Sequence, residues 1–81
     1  MEKDQDIWQN ILNKLEENIN QESFKTWFSD TLLISIQDHK MVVKVPTKFA
    51  ADYLNQNYTI LLSEISYGLY KKKFHILLME T

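Results

Sequence analysis

Few side chains in this sequence could carry acid–base, metal or phosphate chemistry, and those few are scattered. His39 and His75 are the two histidines. They stand far apart, with no carboxylates at ligand spacing, so neither reads as a metal ligand. His39 falls in an expected turn and His75 on the exposed face of an expected strand. Asp52 and Glu64 are about three helical turns apart, too isolated to act as an acid–base pair. Cysteine is absent, which removes thiol nucleophiles, thiolate metal sites and a disulfide framework. The only glycine is Gly68, so no glycine-rich loop can cradle a phosphate. Without a nucleophile, a base and a group to orient them, the chain does not read as an enzyme. No cofactor, metal or small-molecule ligand is expected.

The chemistry that remains is cationic and aromatic. Nine lysines supply all the positive charge, arginine is absent, and the net charge is −2. Bidentate guanidinium recognition of phosphate or guanine is therefore ruled out, and the overall field does not favour nucleic acid or an anionic membrane. Lys71, Lys72 and Lys73 form the one charge run, read first as a solvated approach to a strand. The sharper alternative joins them to Lys40, Lys44 and Lys48 as a track for single-stranded DNA. Such a track would act through phosphate, weakly and with strong salt dependence. The ten aromatic residues are more than a disordered tail would carry.

These groups must be positioned by elements legible as periodicity. Ile7, Trp8, Ile11, Leu12 and Leu15 recur at helical spacing over about residues 6–18, with Asp4 or Asp6 as the cap. Asn20 caps a short second helix carrying Phe24, Trp27 and Phe28 and ending near Asp30. Ile19 and Phe24 flank that cap at the spacing of a hydrophobic staple. Two strands follow, over 31–37 and 41–45, joined by a turn at Asp38, His39 and Lys40. Pro46 closes the second strand, and Thr47 caps a long third helix through Phe49, Ala50, Tyr53, Leu54, Tyr58, Leu61, Ile65 and Leu69. Asn55, Gln56 and Asn57 mark a weak spot in it, and Gly68 is the expected terminator. Residues 74–79 form the last strand, with Phe74, Ile76 and Leu78 on one face. The 81 residues make a single α+β domain of order α-α-β-β-α-β, with helices on one face of a three-stranded sheet. No apolar run is long enough to span a membrane, and the acidic, polar start is unlike a signal peptide.

Three blocks carry a resemblance over nearly the whole chain. The first is Trp8, Ile11, Leu12, Leu15 and Glu16. The second is Ser23, Phe24, Thr26, Trp27 and Phe28. The third runs from Val45 to Ala50, continues through Asp52, Tyr53 and Leu54, and adds Tyr58. At these separations they resemble domain I, the N-terminal domain, of the bacterial chromosomal replication initiator DnaA. The resemblance implies a KH-like fold and a cytoplasmic, nucleoid-associated protein-interaction module. An ATPase domain and a DNA-binding domain would lie outside this chain, and any ATP would belong there. It implies partners among the replicative helicase, helicase-loading proteins and initiation regulators at the origin. A weak contact with another copy of the domain is also implied.

Two surfaces follow from that resemblance. Self-association would involve Ile7, Trp8 and Leu12 on the first helix. Partner binding would involve Ser23, Thr26, Trp27, Thr47 and Phe49. Some relatives carry glutamate where this chain has Ser23, and many carry asparagine at the place of Thr47. Read from the residues alone, Trp8 covers the edge of the core; read with the resemblance, it stands exposed at the self-contact. Phe24 and Phe28, four apart, should face inward, leaving Trp27 partly exposed beside Phe49. The alternative function is weak single-stranded nucleic-acid binding by a KH-like domain. The Gly-x-x-Gly loop used by KH domains is missing, so Lys48 and Lys71 to Lys73 would have to carry it.

Overall fold

The computed structural model describes residues 3–80. Seven elements run in the order α1 (Asp4–Glu16), α2 (Gln21–Phe28), β1 (Leu32–Gln37), β2 (Lys40–Val45), α3 (Lys48–Asn57), α4 (Thr59–Tyr70) and β3 (His75–Glu80). The α+β class and the helices on one face of a three-stranded sheet agree with the sequence reading. The difference is that the expected third helix is two helices.

Local chemistry explains the boundaries. The backbone N–H of Lys3 donates to the Asp6 carboxylate at 3.4 Å, so Lys3 is the α1 cap and both aspartates sit inside the first turn. At the other end, the Asn18 amide donates to the Lys14 carbonyl at 2.7 Å. Asn20 caps α2 by accepting from the N–H groups of Glu22 and Ser23. Thr47 caps α3 by accepting from Ala50 N–H at 3.0 Å. The break between α3 and α4 falls at Tyr58, whose ψ of −7° turns the chain while its N–H and C=O still serve both helices. The Thr59 hydroxyl donates back to the Asn55 carbonyl at 3.2 Å and supports the bend. Gly68 does not end α4. Lys71 does, in the left-handed conformation with φ 59°, and its N–H reaches the Tyr67 carbonyl at 2.8 Å.

The sheet order is β1-β2-β3, with β1 and β2 antiparallel and β2 and β3 parallel. A two-residue turn, Asp38 and His39, joins the hairpin, and Asp38 accepts a positive φ of 55°. A bulge at Ile34 shifts the β1 register, so Leu33 faces the core before it and Ile36 after it. Strict alternation through this strand would have placed Leu33 and Ile36 on opposite faces. The bulge is what reconciles them. Leu33, Met41, Val43, Val45, Ile76 and Leu78 form the buried face of the sheet, and Phe74 joins them just ahead of β3. From the helices come Trp8, Ile11, Leu12, Leu15, Phe28, Leu54, Leu62 and Ile65. Ala50 and Ala51 are also buried, and their small side chains let α3 lie close to the sheet.

Both outer strands have side chains bonded to their backbones. The Asn55 carboxamide pairs with Leu78 twice: its NH₂ donates to the carbonyl at 2.8 Å, and its oxygen accepts from the N–H at 3.3 Å. Ser63 donates to the Phe74 carbonyl, and the buried Ser66 hydroxyl accepts from Phe74 N–H. On β1, the Gln5 amide donates to the Leu33 carbonyl at 2.8 Å.

Candidate protein-docking site

The C-terminal turn of α2 and the first turns of α3 meet in a run of aromatic rings. Phe28, the last residue of α2, is buried; Phe24, one turn earlier, stacks on it at 6.0 Å and is half-buried. Tyr58, at the helix break, meets Phe28 edge-on at 5.2 Å and Tyr53 at 6.2 Å. Trp27 faces away from Phe28 and lies flat on Tyr53, with ring centroids 4.0 Å apart and planes 16° from parallel. Phe49 stands 5.8 Å from Trp27 on its other contact and is 71% exposed. The chain of rings therefore runs from the core to the surface and ends in an uncovered phenyl group.

Caps at both helix starts hold this end in place. Thr47 fixes the start of α3 one residue before Lys48, so the backbone that carries Phe49 is held in place. Thr26 is exposed and Ser23 half-buried on α2, while Thr47 is exposed at the α3 cap. The structure thus brings Trp27 and Phe49 into ring contact, with hydroxyls on the two helices that carry them. Tyr53 is the residue that sequence reasoning missed. The sequence shows it only within the apolar helical run that continues from Phe49 and within the third block of the resemblance. Its spacing of four from Phe49 is the signal that could have shown it as the platform beneath Trp27.

Burial raises the pKa of the Tyr58 phenol above 10.0, and the neighbouring Tyr53 adds to the rise. Folding therefore favours the neutral phenol. Its contribution to stability is complete below the ordinary tyrosine range and is lost as the pH climbs through the raised value. In an absorbance titration, the expected result is that Tyr58 ionises above the ordinary tyrosine range, in a late step. The Tyr58→Phe variant should lose this late step.

The expected exposure of Trp8 is overturned. Trp8 is only 2% exposed, Leu12 is buried beside it, and Ile7 is half-buried. The indole N–H donates to the Thr31 hydroxyl at 3.2 Å, and that hydroxyl donates to the Phe28 carbonyl at 2.8 Å. A polar partner inside the fold lets the whole indole be sealed in without leaving its N–H unpaired. The aromatic anchor expected at an α1 self-contact is therefore part of the core.

The lysines do not form one track. Because β2 and β3 are parallel, Lys40 is level with His75 at one end of the sheet, while Lys44 is level with Met79 near the other. Lys71 to Lys73 precede β3 at the first end, and Lys48 follows β2 at the second. The strands separate them by roughly 15–20 Å. Lys48 also pairs with Asp52 at 3.8 Å, and Lys72 lies over the Phe74 ring at 5.5 Å. Among the described residues, no three His, Cys, Asp or Glu side chains group as a metal site. No helix among them is long and apolar enough to cross a membrane.

Capped helices packed on one face of a three-stranded sheet, with Phe49 uncovered at one end, define a small α+β domain. The chain matches the family described as the DnaA N-terminal domain over residues 5–67, and it belongs to that family. That family places the chain in the initiation of DNA replication.

Proposed function

We propose that the surface formed by Ser23, Thr26, Trp27, Thr47 and Phe49 docks protein partners of replication initiation: the replicative helicase, its loaders or regulators. The observation that carries this reading is the exposed Phe49 ring held beside the Trp27–Tyr53 stack. An isolated exposed phenylalanine on a loop would lose conformational freedom on binding. This one sits on a capped helix against a second ring, so little ordering remains to be done. Exposed aromatics with a polar rim are the usual anchors of a transient interface. We assign weak self-association as a second activity. A contact too weak to hold two free domains becomes effective when several initiators stand on one origin, because tethering raises the local concentration.

Amide NMR with unlabelled helicase or loader protein added stepwise tests the docking surface. Resonances of Thr26, Trp27, Thr47 and Phe49 should shift or broaden first, while those of Lys71 to Lys73 stay in place. A footprint centred on the lysines or on the outer face of the sheet would defeat the proposal.

A further inference from the structure

Strand β3 forms one edge of the sheet, and alternate residues along it turn their backbone groups to opposite sides. His75 donates its N–H toward β2, to the His39 carbonyl. Phe74 and Leu78 face the other way, where Ser63, Ser66 and Asn55 meet them. Ile76 stands midway between those two and alternates with them, so its N–H and C=O also point off the sheet. Among the described residues neither group has a partner. Ile76 is only 3% exposed, and a backbone donor and acceptor left unpaired so close to the core cost free energy. The residue lines a groove of about 490 Å³ between β3 and the junction of α3 with α4. Ile60 stands on the helical side of this groove. At 76% it is the most exposed large apolar side chain among the described residues.

We propose that this groove captures an extended segment of a partner protein, one residue of which pairs with Ile76 as an added strand would. The unmet N–H and C=O call for one acceptor and one donor lying in a plane. The Asn55 carboxamide already meets Leu78 in that way, two residues along. A peptide residue running antiparallel to β3 presents the same two groups. Pairing stops after that residue, because Phe74 and Leu78 are taken on either side. Its side chain falls on the helical side, by Ile60, while its neighbours fall on the outer face beside His75 and Leu77. β-branched residues suit both places. A nucleic-acid strand suits the groove less well, because Lys73 on its wall is offset by Glu64 and leaves no net charge for a phosphate backbone. Two hydrogen bonds and one aliphatic contact make a weak site, which serves a segment already held nearby by another contact. The groove lies at the far end of α3 from Phe49, and the inference does not rest on docking there.

The probe is a blocked pentapeptide with valine at its centre and threonines on both sides, titrated into this chain to about 10 mM and followed by amide NMR. Resonances of Ile60, Ser63, Ile76 and Leu77 should move, and the Ile76 N–H should shift downfield as it gains an acceptor. N-methylation of the central valine removes the one donor aimed at Ile76 and should weaken binding at least about ten-fold. N-methylation of the next threonine, whose N–H points away, should leave binding unchanged. Ile60→Ser should melt like the parent, since the side chain is exposed, and bind about three-fold or more weakly. Phe49→Ala should take the peptide normally, which separates failure here from failure at the other surface. The proposal is overturned by an Ile76 resonance that stays still, by two N-methyl peptides that bind equally, or by an Ile60→Ser chain that binds like the parent. A thymidine oligonucleotide that moves these resonances when the peptide does not would overturn it too, and would assign the groove to nucleic acid.

Discussion

Trp8→Ala should cost the domain about 3–5 kcal/mol, the range for emptying a buried aromatic site. A domain of this length has only about 4–12 kcal/mol in total, at about 0.05–0.15 kcal/mol per residue. The variant should therefore be partly unfolded at 37 °C or close to it. Three consequences of the substitution add together. The indole leaves a cavity beside Leu12 and the α2 aromatics. The Thr31 hydroxyl loses the donor at 3.2 Å. The packing between α1 and the start of β1 loses its largest side chain. Urea denaturation followed by circular dichroism gives the number. Trp8→Phe separates the terms: it keeps most of the ring and loses the N–H, so it should cost distinctly less than alanine. A Trp8→Ala chain as stable as the parent would mean that this tryptophan is not a core residue.

Phe49→Ala should show the opposite profile. Its ring is 71% exposed, and the Thr47 cap of α3 does not involve its side chain, so stability should change by no more than about 0.5 kcal/mol. Affinity for the helicase or its loader should fall by about 2 kcal/mol or more, roughly thirty-fold, as for the central aromatic of a small interface. Calorimetry on the folded variant measures this directly. Trp27→Ala cannot replace it, because Trp27 also packs on Tyr53 and against the core. A folded Phe49→Ala chain with parental affinity would remove the ring from the interface.

The contrast between these two residues shows what a single sequence discloses. Trp8, Ile11, Leu12 and Leu15 follow the i, i+3, i+4, i+7 rule, so their helix was evident. Whether Trp8 belonged inside depended on a hydroxyl 23 positions away, which periodicity does not report. The caps at Asn20 and Thr47 were legible because capping is local chemistry. The break at Tyr58 was legible only as the weak spot at Asn55, Gln56 and Asn57 just before it, and the left-handed Lys71 was not legible, because lysine is not a usual breaker. At Ile34 the apolar pattern was visible, but the extra residue depends on the facing strand. Helix geometry showed that Trp27 leaves the Phe24–Phe28 face, and only the resemblance placed it beside Phe49; the supporting role of Tyr53 needed the fold. Parallel pairing of β2 and β3 is likewise a tertiary fact, and it alone separates the lysines into two groups.

The carboxamide of Asn55 occupies the backbone of Leu78 as a neighbouring strand would, and Ser63 and Ser66 do the same at Phe74. Open strand edges invite uncontrolled joining of one sheet to the next. Wherever copies of the domain are crowded together, that hazard is greatest. Side chains that answer the edge in advance remove backbone groups that a second sheet would need, and so guard the domain against hardening into a fibre.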